Sequence, residues 1–186
     1  MTKSVGEYWV CSALARRGWG AALTRDGLER TDILAVQTDA TRRQVEIQVK
    51  SANGASAQTT WRVGEKAQLF ALTDREWFVF VSIDKDVTKP PRSFVVPRDH
   101  VAAAAYIVHQ AWLTDPTVPA GKRNVQLDQA RVSLLDWAGY EDQWDLLKEP
   151  ADTAPVLLRP ELRQLALAER VGLPVGHRWN EVLPDW

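Results

Sequence analysis

Asp32, Glu46, Gln48 and Lys50 are the residues whose types and spacing suggest chemistry. In the segment Gln44 to Ser51, QVEIQVKS, Glu46, Gln48 and Lys50 alternate with Val45, Ile47 and Val49. In an extended strand that alternation sends the two sets to opposite faces, with about 6.6 Å between successive members of a set. A half-buried strand with one wet face shows the same pattern, but three further residues point beyond it. Asp32 opens the apolar run TDILAV, and a turn at Thr38 to Thr41 brings it toward Gln48 and Lys50 of the neighbouring strand. Glu7 shares a helical stripe with Val10, Cys11 and Leu14, where a carboxylate is costly without a cation or hydrogen-bond donors; a solvated first turn is the alternative. Ser51 carries a hydroxyl that can serve a phosphate or a turn. Carboxylates such as Asp32 and Glu46 suit a hard divalent cation like Mg²⁺, and a lysine ammonium neutralises charge on a phosphate or orients an attacking water. Together these residues suit metal-assisted phosphodiester hydrolysis.

The elements that must position them follow from periodicity and punctuation. Helical spacing from about Ser4 to Arg17 stops at Gly18, and a short extended piece follows in GWGAALT. Asp32 to Gln37 and Gln44 to Ser51 read as a hairpin of strands, SANGASAQTTWRVG as a loop, and EKAQLFAL as a short helix. Trp77 to Ile83, WFVFVSI, is continuously apolar and predicts a central strand buried on both faces. SFVVP adds another strand, and RDHVAAAAYIVHQAW predicts an alanine-rich helix. A Pro, Gly and Thr loop spans Leu113 to Arg123, a short helix is expected around Glu141 to Leu147, and another from Pro160 to Val171, ended by Gly172. The order predicts a layered α/β domain, a central mixed β-sheet flanked by helices. Residues 1–112 form the expected core, and 113–186 a C-terminal helical extension packing on it.

Composition sets the outer limits. Across 186 residues, 23 Lys plus Arg stand against 24 Asp plus Glu, so any phosphate-binding surface must be local. The lone Cys11 has no partner for an intrachain disulfide, and neither a leader nor an apolar run of about 18 residues is evident; a cytoplasmic protein with no membrane association is expected. Nine tryptophans predict aromatic core packing or stacking platforms. His100 and His109 are nine apart and read as ordinary helix residues, and Asp84 and Asp86 as a solvated turn. Phosphate-backbone contacts are available from Arg16-Arg17, Arg42-Arg43 and Lys122-Arg123. The loop after Lys50, with Asn53, Gln58, Thr59, Thr60, Trp61 and Arg62, is either a substrate-contacting loop or a simple connection. No GxSxG, GxxxxGK[ST] or GxGxxG motif is present to support acyl-transfer or nucleotide-cofactor chemistry.

A helix carrying Glu, a hairpin carrying Asp and a strand ending in Lys resemble, over about residues 4 to 110, the PD-(D/E)XK nuclease superfamily. This is the fold of many restriction endonucleases and Holliday-junction resolvases. Glu7 in VGEYWV resembles the family's helix-one glutamate, Asp32 in TDILAV its metal-binding aspartate, and Gln48 and Lys50 in IQVKS its (D/E)XK pair. Two positions depart from the pattern: Thr31 stands where proline is common, and Gln48 replaces the second acidic ligand. The resemblance implies a restriction-endonuclease-like core and a Mg²⁺-dependent endonuclease, with Mn²⁺ as a substitute, cutting DNA in preference to RNA. Asp32 would hold the metal together with the Gln48 carbonyl oxygen or with Glu46, unless metal binding has been lost. Lys50 would steady the phosphate or water, and Glu7 would position the water, the metal or Lys50. Arg42, Arg43, Ser51, Asn53, Trp61 and Arg62 are the expected nucleic-acid contacts. The alternative is a catalytically inactive module for nucleic-acid or protein binding. A homodimer, or a place in a defence or repair complex, suits either.

Overall fold

A computed structural model describes residues 1–24, 28–119 and 121–186. Helix α1, Thr2–Ala15, ends where Gly18 takes φ +78°, a left-handed conformation that glycine adopts without penalty. Strands β1, Trp19–Leu23, β2, Ile33–Gln37, and β3, Gln44–Asn53, form an antiparallel meander. Its second turn is closed by the Gln37 N–H bond to the Arg43 carbonyl, with Arg42 at φ +49°. After β4, Thr60–Arg62, and a single 3-10 turn at Glu65–Gln68, strand β5, Glu76–Ile83, pairs parallel to β3. Strand β6, Arg92–Pro97, pairs antiparallel to β5 and leads into α2, Arg98–Leu113. The result is a mixed five-stranded sheet in the order β1-β2-β3-β5-β6. The layered α/β class read from the sequence is observed.

Alternation along the strands builds two apolar layers. Val45, Ile47, Val49, Trp77, Val79 and Val81 pack with Val10 and Leu14 of α1, whereas Phe78, Phe80, Phe94 and Val96 pack with the alanine run of α2. Strand β5 is buried on both faces, which is why it reads as an uninterrupted apolar run. The parallel register sets Glu46 beside Glu76, Gln48 beside Phe78 and Lys50 beside Phe80, so the polar face of β3 lies on the α2 side of the sheet.

Residues 113–186 contribute to both layers. Strand β7, Arg131–Ser133, pairs antiparallel with β4, Trp61 opposite Val132. The stretch expected as an uninterrupted loop after β3 therefore contains a strand, formed with residues far along the chain. Trp137 stacks on Phe80 at 4.8 Å, and Trp144 and Leu147 join the α1 layer. The helix expected around Glu141 to Leu147 is instead a pair of 3-10 segments, Leu134–Tyr140 and Trp144–Lys148. Helix α3, Pro160–Leu167, stops short of Val171, while Gly172 takes the left-handed φ of +65°. Trp19, Trp61, Trp77, Trp137, Trp144 and Trp179 are core residues, the packing role expected for most of the tryptophans. Among the described residues no helix is long and apolar enough to cross a membrane.

Candidate active site

Asp32 stands where β2 begins. Its N–H donates to the Ile47 carbonyl at 2.9 Å, and its Oδ2 accepts the Val49 N–H at 2.8 Å. The carboxylate thus supplies the acceptor that a longer β2 would have supplied to β3. With Ile33 opposite Ile47, Asp32 faces Gln48 across the ladder. Lys50 follows on the same face, beyond the end of β2. It is half-buried, and among the described residues it makes no ion pair. Burial pushes its pKa below the ordinary lysine value; Asp32 opposes that shift, and Arg98 and Lys3 add to it. Glu7 approaches from α1 through Lys3, whose Nζ lies 3.4 Å from Glu7 Oε1 and 3.6 Å from Asp32 Oδ1.

Gln48 is held from the α2 side. Arg98 Nη2 donates to Gln48 Oε1 at 2.9 Å and to the Arg30 carbonyl at 3.2 Å, its Nε lies 2.7 Å from Glu76 Oε2, and its guanidinium sits 4.5 Å over the Phe78 ring. Arg30 shares the same Glu76 oxygen at 2.8 Å, and Glu76 Oε1 accepts the Leu72 N–H at 2.6 Å. Arg98 is fully buried; that burial, aided by Arg30, lowers its pKa to about 10 against the pull of Glu76, so it remains cationic at neutral pH. A guanidinium has only donors, so Gln48 must turn its carbonyl oxygen toward Arg98 and its NH₂ away. A dication on that oxygen would face the guanidinium across a single atom. Glu46 is also engaged, accepting from Thr31 Oγ1 at 3.4 Å and lying 3.8 Å from Arg75 Nη2. The carboxylate that shares a cation with Asp32 is Glu7.

The remaining expected contacts separate into two groups. Ser51 has the parity of Val49, not of Lys50, and lies under α1: a Cβ on Gly6 would overlap its Oγ and come within 3.0 Å of its Cβ. Its buried hydroxyl has no hydrogen-bond partner among the described residues. Trp61 is 3% exposed, edge-on to Phe80 and Phe94 at 5.5 and 6.0 Å, and its indole donates to the Val81 carbonyl. No ring face is left for a base, so the expected roles of Ser51 and Trp61 in nucleic-acid contact are corrected. Arg43 donates to the carbonyls of Leu147 and Glu149, and Arg42 lies at the β2–β3 turn, about 25 Å of strand away from Lys50. Asn53 and Arg62 are exposed: Asn53 reaches Thr2 beside Lys3, and Arg62 pairs with Asp128 at 3.3 Å.

Elsewhere, His100 is a core residue against the Tyr140 hydroxyl at 2.7 Å, and Asp84 sits in a turn with Lys89, as expected. Burial pushes the Cys11 thiol up, away from nucleophilic character. A cavity of about 610 Å³ between α2 and the β4–β7 pair, lined by His109, Trp112 and Arg131, shares no residue with the Asp32 site. Sequence reasoning passed over Lys3, Arg30, Glu76 and Arg98. Only Lys3 left a signal, since it precedes Glu7 by one helical turn.

Among the described residues no group of three or more His, Cys, Asp or Glu side chains converges as a protein-only metal cage. Mg²⁺ seldom uses one, because it keeps several waters and binds one or two carboxylates plus substrate phosphate. Glu7 and Asp32, already sharing the Lys3 ammonium, fit an ion of that kind.

No family model matches the chain, and no curated protein matches it in sequence. Among solved structures the chain is similar to a bacterial homing endonuclease at 14% identity and a TM-score of 0.45, over 81% of this chain and 92% of that one. A likeness at that level carries no inference about function.

Proposed function

We propose that this chain is a metal-dependent nuclease hydrolysing phosphodiester bonds in DNA. The observation that supports this reading best is Lys50, a half-buried ammonium that makes no ion pair among the described residues, set beside Asp32 past the last β2–β3 pair. A half-buried cation with no ion pair is costly, and a phosphate anion is a partner that relieves it. Mg²⁺, or Mn²⁺ in its place, would be held by Asp32 and Glu7 and would supply positive charge at the phosphate and a more acidic bound water. Lys50 donates to a non-bridging phosphate oxygen and offsets the charge that develops there. The Gln48 NH₂, turned away from Arg98, donates to the same phosphate or to the attacking water. Arg98, Glu76 and Arg30 hold that amide in one orientation. Asn53 and Arg62, both exposed, contact the substrate backbone. Cutting both strands of a duplex takes two such sites, which a homodimer supplies, and the expected setting is the cytoplasm.

Two observations favour a second reading, a binding module for nucleic acid or protein without turnover. The only neutral residue of the catalytic set, Gln48, is committed to Arg98, and Asp32 is already neutralised by Lys3. Supercoiled plasmid and labelled single-stranded, duplex and branched DNA, incubated with Mg²⁺ or Mn²⁺, separate the two. Metal-dependent cutting that disappears in Asp32→Asn supports the nuclease and identifies its substrate. Binding of DNA without cutting of any substrate supports the module.

A further inference from the structure

We propose that Lys3 is an internal counter-ion that a divalent cation must displace from between Glu7 and Asp32, and that it thereby sets the metal concentration at which the site loads. The inference rests on the reading of Asp32 and Glu7 as metal-binding carboxylates and goes beyond it by giving the competitor. The Lys3 ammonium sits 3.4 Å from one carboxylate and 3.6 Å from the other, so a cation held by both carboxylates would compete with it.

The three side chains differ in freedom. Those of Glu7 and Asp32 are 15% and 20% exposed, and that of Lys3 is 66% exposed. Asp32 is fixed by the Val49 N–H at the end of the ladder, and Glu7 by the seating of α1 on β3 at Gly6. Lys3 has no comparable anchor, and its flexible stem can carry the ammonium into solvent. Without it, Glu7 and Asp32 would be left as neighbouring like charges. A monovalent ion offers no more charge than the ammonium it must remove, whereas a dication does, so the arrangement favours divalent ions. Lys50 lies on the β3 side of Asp32, half-buried and, among the described residues, in no ion pair with a carboxylate. One lysine is thus displaceable by metal and the other remains for phosphate.

The test is Mn²⁺ binding, followed by the electron paramagnetic resonance of unbound Mn²⁺, to the full chain without DNA. Exposed ion pairs are weak, so Lys3→Gln should bind Mn²⁺ about twofold to tenfold more tightly than wild type. Lys3→Arg, which keeps the charge, should bind within about twofold of wild type, and Asp32→Asn should lose binding. Equal or weaker binding by Lys3→Gln, with binding still lost in Asp32→Asn, overturns the role of Lys3 and leaves the metal site standing. Absence of Mn²⁺ binding in every protein overturns both. Tighter binding by Lys3→Gln in a protein that cuts no DNA upholds the counter-ion and refutes the nuclease.

Discussion

Substituting Gly6 by alanine tests how α1 is set against the sheet. At an ordinary helical position the change stabilises by about 1 kcal/mol. Here the new Cβ would overlap Ser51 Oγ, come within 3.0 Å of Ser51 Cβ and lie 3.4 Å from Val49 Cγ1. Strand β3 cannot yield easily, because it is paired to β2 on one edge and β5 on the other. The Ser51 hydroxyl must turn away and helix α1 must lift from the Ser51 Cβ, and overpacking of this kind costs about 1–3 kcal/mol. Against the helix-propensity gain, Gly6→Ala should destabilise by roughly 0–2 kcal/mol. In a Ser51→Gly background both obstructing atoms are gone, and the same substitution should stabilise by up to about 1 kcal/mol. The coupling between the two positions is therefore expected at about 1–3 kcal/mol, read from urea midpoints of the four proteins at constant m-value. Stabilisation by Gly6→Ala in the wild-type background, or a coupling below about 0.3 kcal/mol, would refute the close seating that brings Glu7 to Asp32.

Three further outcomes are expected. Glu76→Gln leaves Arg98 and Arg30 without their shared anion and should cost about 3–5 kcal/mol in urea unfolding; a loss under about 1 kcal/mol would contradict the buried cluster. Because burial lowers the Lys50 pKa, the unfolded chain holds that proton more firmly than the folded one, so the charged lysine destabilises the fold at neutral pH and stability rises as pH climbs through the window between the two values. Lys50→Met should therefore raise stability by about 0.5–2 kcal/mol while abolishing cleavage, and a lower melting temperature would count against it. Burial also lowers the pKa of His100, to about 3, and of His177. Below about pH 6.5 the unfolded chain takes up protons that the folded one refuses, so stability should fall by up to about 1.4 kcal/mol per pH unit for each histidine. For His100 the loss continues toward pH 3. Urea midpoints unchanged between pH 7 and 5 would rule this out, and His100→Asn should flatten the slope.

The parts of the fold legible in the sequence were those with local periodicity. Alternation in QVEIQVKS marked β3 and its polar face, the apolar run marked β5, and counting outward from the hairpin turn brought Asp32 near Gln48 and Lys50. The same alternation, carried one residue further, assigns Ser51 to the side of Val49, away from the site. Strands β4 and β7 were not legible because each is three residues long and its partner lies far along the chain. Trp61 looked like a contact residue because its burial depends on that pairing. Arg98 was hidden for a related reason. At the start of a helix an arginine is unremarkable, and only the parallel register of β3 and β5 brings Glu76, Phe78 and Gln48 around it. Recognition of the site came from residue types on one strand, whereas its supporting cations and anions came from elements that meet only in three dimensions.

The most direct measurement is the rate of supercoiled plasmid cleavage in Mg²⁺ by wild type and by Lys50→Met, at equal concentrations of folded protein. If Lys50 meets the phosphate, wild type cuts and the variant loses at least about 100-fold in rate. Cleavage by Lys50→Met within about tenfold of wild type would show that the hydrolytic centre lies elsewhere.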